Sequence, residues 1–507
     1  MAVGADAVTR LFGWGAAALV IALVFGPLAA VVWRADWDGG LVRADWLAVR
    51  FTVWQAVVSA AVSVGLAVPV ARALSRQTFP GRGLYIALLG APFILPTIVA
   101  ILGLLAVFGR QGWLNDGLGL FGVEIGIYGW HGVILAHVFF NLPLAVRFLL
   151  QGWQAIPAER FRLVESLGGS VWQLLERPML VRVVPGAAVV IFLICLTTFA
   201  VALTLGGGPR ATTVELAIYQ AFRFEFDLGR VSLLALVQIA LCIAALIVAG
   251  RVPLGDGVGI GRGRDVLRRD ARWWDYAWIV FAAIFLGAPL LAIVATGVPG
   301  LAELPGRVWE AALRSVIVAL AATALALGVA VALIVWARGA RWVEALGALP
   351  LAVSGLVVGA GLFLWLAPLA TPSALALPLT TIVNAMMVLP FAVRLLAPAY
   401  RDIEKGYGPL ADALGMTGWA RLRWLTFPRL RRPLGFCAGL AAALSMGDLG
   451  VIALFAGTEN ATLPLTVYQL MGSYRTEAAG GAALLLLTLS VALFWLFDRG
   501  GRLDADV

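Results

Sequence analysis

The chain has 507 residues, of which 62% are hydrophobic and only 13% charged, about half the charged share of a soluble domain. A mean hydropathy of +0.96 excludes a water-soluble enzyme and requires a bilayer. The net charge of +9, from 37 Lys and Arg against 28 Asp and Glu, is read as membrane topology rather than as attraction for nucleic acid.

Twelve apolar runs approach the roughly 20 residues a helix needs to cross about 30 Å of hydrocarbon. In the first half they are Leu11 to Trp33, Phe51 to Leu74, Leu84 to Phe108, His131 to Leu150, Val183 to Leu205 and Val231 to Ala249. In the second they are Ala277 to Val298, Ala312 to Trp336, Ala345 to Ala367, Ala374 to Leu396, Leu434 to Phe455 and Ala482 to Phe497. The runs are too uniform for barrel strands, which alternate apolar and polar residues. The predicted fold is an all-α integral membrane protein of two tandem six-helix halves, residues 1–250 and 276–507. With the amino terminus in the cytoplasm, most of the Lys and Arg fall on the cytoplasmic side, and an even number of spans returns the carboxyl terminus there. Arg34, Ala35 and Asp36 follow the first run without a small-residue cleavage site, so it is read as a retained helix. Cys195, Cys242 and Cys437 fall inside spans with no CxxC and read as packing residues.

Two cytoplasmic loops are longer than connectors need be. They run from Ile156 to Arg182 around Gly168 and from Tyr400 to Pro433 around Gly415. Each predicts two short helices meeting at a glycine corner, with Ser170 or Thr417 placed to cap the second. Helices below about 12 to 15 residues are marginal alone, so these loops need something to dock against. Between the halves, the segment 251–275 carries Gly255, Gly257, Gly259, Gly261 and Gly263 ahead of Arg268, Arg269 and Arg272, the composition of a flexible cytoplasmic linker. Trp273, Trp274, Tyr276 and Trp278 then form an interfacial aromatic belt.

The two halves are written in register. Leu142, Pro143, Ala145, Val146 and Arg147 recur 247 positions later as Leu389, Pro390, Ala392, Val393 and Arg394, and Leu167, Gly168 and Trp172 as Leu414, Gly415 and Trp419. Further on, Ala211 and Thr212 match Ala461 and Thr462, and Tyr219 and Gln220 match Tyr468 and Gln469. A period this long implies duplicated halves packed about a shared axis.

In the second loop, Gly415 is followed by nine residues and then Leu425, Thr426, Phe427 and Pro428. This spacing resembles the coupling loop of permease subunits of ATP-binding-cassette importers, E-A-A-x-x-x-G, nine residues, I-x-L-P. Pro409, Leu410 and Ala411 stand where that pattern opens, so its acid is absent. The first copy has Arg162, Leu163 and Val164 there, keeps Gly168, and reaches Pro178 three residues early. Two passages, Leu203 to Ala221 and Leu444 to Arg475, resemble the fused double permeases of thiamine transport. The resemblance implies a type I importer fold that moves thiamine or its phosphates. It implies a periplasmic substrate-binding protein and two copies of a separate ATP-binding subunit, which would hold ATP and magnesium, with no cofactor or catalytic residue in this chain. It also implies that Leu167, Gly168, Trp172, Leu414, Gly415, Trp419 and Pro428 couple the helices to those subunits, the corner glycines keeping side chains from holding the short helices apart. The residues agree on one point independently: a Walker A loop requires a lysine, and the sole lysine, Lys405, sits between Glu404 and Gly406.

Asp448 is the one acid placed well inside a predicted span, opposite Thr198 in the repeat. A carboxylate there must be paired or wetted; it reads either as a pathway residue for a cationic solute or as a structural group bonded to Ser445 or to backbone near Gly447 and Gly450. Asn141 is placed to bond between helices, and with Thr198 completes the candidate pathway set. Pro143 and Pro390 predict kinks in equivalent helices. Glu215, Glu225, Asp227 and Glu459 are assigned to outer loops beside Arg210, Arg223 and Arg475, as docking charges for a binding protein or as solvated ones. His131 and His137 lack metal-ligand spacing and read as packing residues. A ferric-iron or polyamine cargo is the alternative; an ion-coupled transporter of two halves is a further one, which would carry more charge within the membrane.

Overall fold

A computed structural model of the protein describes residues 2–502 apart from 38–39, 90–94, 120, 123, 125, 207, 209–210, 252–271, 367 and 369–370. The predicted linker and Arg210 thus lie largely or wholly outside the described residues. The described chain forms helices and no strand. In order they are α1 (Ala2–Arg34), α2 (Arg43–Arg76), α3 (Arg82–Leu88), α4 (Thr97–Phe108), α5 (Trp113–Gly119), α6 (Trp130–Gln154), α7 (Ala158–Ser166), α8 (Arg177–Leu196), α9 (Ala200–Leu205), α10 (Val214–Gln220) and α11 (Leu228–Arg251). There follow α12 (Trp273–Gly300), α13 (Gly306–Trp336), α14 (Trp342–Ala348), α15 (Gly355–Leu366), α16 (Pro372–Ala413), α17 (Gly418–Arg421), α18 (Phe427–Met446), α19 (Gly450–Phe455), α20 (Leu463–Gly472) and α21 (Thr476–Arg502). Among the described residues 11 helical runs are long and apolar enough to cross a bilayer, or up to 12 if the pair around α14 and α15, bent by 82°, is one span.

Four of the predicted spans are not continuous helices. The third is interrupted before Pro96, the ninth at Val353 and Ser354, the fifth at 197–199 and the eleventh at 447–449. Hydropathy does not register these breaks because the residues flanking them are apolar, and a broken helix inside protein or lining a wet cavity is tolerated at membrane depth.

α2 packs on α6 and α8, and α13 packs on α16 and α18. The first helix of each predicted half crosses to the other: α1 lies against α13 and α15, and α12 against α2 and α4 as well as α21. Two glycines permit the crossings. A Cβ on Gly361 of α15 would meet Pro27 O of α1 at 2.6 Å, and one on Gly103 of α4 would meet Pro289 O of α12 at 2.5 Å. Small residues at such crossings are how membrane helices gain dispersion contact without a hydrophobic drive. Phe222, Phe363 and Phe455 form a buried cluster joining the two sides, with ring centroids 5.1 to 5.4 Å apart.

Candidate functional site

The four helix breaks converge. A cavity of about 420 Å³ is lined by Pro96 and Thr97, by Thr197 to Phe199, by Val353 to Gly355 and by Gly447 to Leu449, within the size range of small-molecule sites. Asn384, Met387 and Phe391 of α16 complete one wall.

Each break frees carbonyls that need partners. At the end of α8, Gln55 of α2 donates to Cys195 O at 2.8 Å and Gln238 of α11 donates to Leu196 O at 3.1 Å. His137, fully buried on α6, sits between Ser59 at 3.2 Å and Thr198 at 2.7 Å. Asn141 donates to His137 O at 2.8 Å and to Cys195 Sγ at 3.3 Å, spanning α6 and α8. At the other end of the repeat, Asn384 occupies the place 247 positions after His137 and donates to Ser445 Oγ at 2.9 Å. His137 and Asn384 were not among the predicted pathway residues; the repeat spacing that paired Pro143 with Pro390 also pairs them.

Asp448 accepts from Gly450 N at 3.2 Å with one oxygen, while its Oδ2 has no partner and the residue lines the cavity. Thr198, its counterpart, donates to Cys195 O at 3.0 Å and lines the same cavity.

Glu215 is not an outer-loop charge. It is 1% exposed on α10 and lines the cavity, with Oε1 unpartnered and Ser354 bonded to its carboxyl. α10 is too short to span a membrane, and burial pushes this carboxyl up to about 8 because the charged form is poorly solvated there. Other named outer charges differ: Glu225 pairs with Arg230 at 2.5 Å, Asp227 accepts from Arg230 N at 3.0 Å, and Arg223 donates to Ala456 O at 3.3 Å. Among the described residues no three His, Cys, Asp or Glu side chains come together as a metal site would need.

The caps of α10 and α20 also shift the repeat register by one residue. Val214 N donates to Thr52 Oγ1 at 2.9 Å and Leu463 N to Ser315 Oγ at 2.7 Å, so that Thr213, not Thr212, is the equivalent of Thr462.

The cytoplasmic-loop predictions change in three ways. In the second loop the helix before Gly415 is no short helix: it is the end of α16, 42 residues long. The glycines are required by backbone conformation and not by crowding, since Gly168 and Gly415 have φ of +65° and +64° and nothing lies within 4 Å of an added Cβ on either; both close a helix in the left-handed manner. The missing residues of the first loop are α17. After Gly168 the chain turns directly into the π-turn Trp172–Glu176, whereas after Gly415 it forms α17 and then the π-turn Leu422–Thr426. Trp172 therefore lies opposite Leu422 rather than Trp419, and Pro178 opposite Pro428. Ser170 reaches Gln173 N at 3.4 Å, while Thr417 makes no side-chain cap bond. Leu167, Leu414 and Trp419 are 76%, 68% and 65% exposed, although Trp419 also meets Phe427 edge-on at 6.5 Å. Behind them, Arg421 is held by Asp412 at 2.6 Å and by Glu404 at 2.5 Å, and Arg72 pairs with Glu176 at 2.8 Å.

No family model matches the chain. It is 38% identical over 520 residues to the thiamine transport system permease protein of Salmonella typhimurium, covering 96% of each chain. The protein of the same description from Escherichia coli is 38% identical over 518 residues, again 96% of each. That of Haemophilus influenzae is 32% identical over 507 residues, 96% of this chain and 93% of its own. Similarity at this level over the whole length, in a chain whose helices can cross a bilayer 11 or 12 times, is decisive: the chain belongs to the family of thiamine transport system permease proteins.

Proposed function

We propose that the chain is the membrane-spanning subunit of an ATP-driven importer that carries thiamine into the cytoplasm. The observation that carries this reading is the full-length similarity to thiamine transport permeases. The cavity at the four helix breaks supports it, being of small-molecule size and lined, among the described residues, by carboxylates but by no Lys, Arg or His. Thiamine carries a permanent thiazolium charge, and Asp448, whose Oδ2 has no hydrogen-bond partner, lines the cavity. Thr198 and Asn141 hold the facing break.

In this reading residues 1–250 and 276–507 are two permease halves around one pathway, in a bacterial inner membrane with both termini cytoplasmic. Two copies of an ATP-binding subunit, carrying ATP and magnesium, dock on the cytoplasmic loops, where Leu167, Trp172, Leu414 and Trp419 are at least 40% exposed. A periplasmic binding protein delivers the vitamin from the other side. α18 links loop to cavity: its 20 residues cover about 30 Å at about 1.5 Å per residue, so movement at the π-turn reaches the Gly447–Leu449 break through one rigid element. No covalent chemistry falls to this chain. The test is uptake of labelled thiamine by proteoliposomes holding the complex with its ATPase and binding protein; uptake without ATP, driven by an ion gradient, would overturn the proposal.

A further inference from the structure

We infer that Glu215 is a substrate-recognising residue of the pathway, a second carboxylate that joins Asp448 in receiving the charged ring of an organic cation. The inference rests on the transport reading above and deepens it.

Its ground is an imbalance among the buried acids. Asp45 meets Arg230 at 2.8 Å, Glu176 meets Arg72 at 2.8 Å, and Asp275 accepts from Gln77 at 3.0 Å. Among the described residues Glu215 and Asp448 have no basic partner, and each keeps one buried oxygen without any partner. Both line the same cavity, whose wall among the described residues has no basic side chain. A buried acid is retained against its desolvation cost when a countercharge arrives, and here nothing in the wall supplies one. Phe199 also lines the cavity, and an aromatic face is a further favourable surface for a cation.

Glu215 is placed with precision. Thr213 caps α10 by accepting from Leu216 N at 3.3 Å, and Thr52 of α2 accepts from Val214 N at 2.9 Å. Ser354, at the start of α15, bonds the carboxyl while accepting from Val357 N at 3.2 Å. The acid thus comes from the first half and is steadied by the second. Neither acid is duplicated: Pro464 stands two residues beyond Thr462 where α10 has Glu215, and Thr198 stands opposite Asp448. Two non-equivalent acids around one cavity fit one asymmetric cation rather than a symmetric pair.

The experiment uses the permease with its ATPase subunits in nanodiscs and measures equilibrium binding of labelled thiamine, competed by the neutral analogue in which a thiophene replaces the thiazolium. Glu215→Gln is expected to weaken thiamine about ten-fold while leaving the neutral analogue within about two-fold, and Glu215→Asp to restore most of the difference. ATPase stimulation by the loaded binding protein monitors folding. Equal losses for thiamine and analogue, or an unchanged thiamine affinity, would overturn the role of Glu215. Wild type that neither binds nor transports thiamine would instead remove the transport reading beneath it.

Discussion

Replacing Gly415 separates two accounts of the glycine corner. If crowding governed, any side chain would be excluded; the space around the missing Cβ is empty to 4 Å, and φ is +64°. The whole penalty is then conformational. For an ordinary L-residue the left-handed region costs roughly 1 to 2 kcal/mol, with Asn among the exceptions, and that lowers the population of the closed corner by a factor of about 5 to 30. Gly415→Asn should therefore retain most substrate-stimulated ATP hydrolysis, Gly415→Ala should lose several-fold, and the β-branched Gly415→Val should lose most, because β-branched residues are least tolerated at positive φ. The assay is ATPase activity of the reconstituted complex with and without loaded binding protein, paired with uptake. Equal activity of all three variants would refute the conformational account, and so would an Asn variant worse than Val. Gly168, at φ +65° and equally open, should follow the same order.

Asp448→Asn keeps an acceptor for Gly450 N and removes only the charge, so it should cut thiamine uptake about ten-fold without altering expression or assembly, read by transport beside size-exclusion chromatography. Gln55→Leu removes one of the two donors to Cys195 O and leaves Thr198 as the other; losing one buried hydrogen bond costs about 0.5 to 1.5 kcal/mol, seen as a lowered melting midpoint of the purified complex. Trp419→Ala should weaken docking of the ATPase subunit more than Trp172→Ala, because only the second loop forms α17, which carries Trp419, and co-purification at increasing salt would measure the difference.

The membrane class and the glycine-to-proline spacing were legible because both depend on local composition: long apolar runs and a fixed interval from Gly415 to Pro428. The cavity was not. Gly447 and Asp448 interrupt α18 and α19 within a run whose mean hydropathy still reads as one span, and hydropathy averages over a length greater than the break. Glu215 was misplaced for a related reason. Seven residues of α10 are too few to register as a membrane segment, so the whole stretch between the fifth and sixth spans reads as an outer loop, although Thr52 and Ser354 draw it into the interior. Asn384 could have been found from its place 247 residues after His137, but a polar pair of different chemistry does not stand out in an alignment of identities. The crossing of α1 and α12 depends on glycines meeting prolines from distant parts of the chain, a pairing no local pattern announces.

The central claim is that this chain forms an ATP-dependent path for thiamine, and the most direct measurement is accumulation of labelled thiamine in proteoliposomes containing the permease, its ATPase subunits and the loaded binding protein. Accumulation that requires ATP and magnesium, and is not displaced by excess ferric iron or spermidine, is the predicted result. Accumulation of ferric iron or spermidine in place of thiamine, or thiamine entry that proceeds equally without ATP, would contradict it.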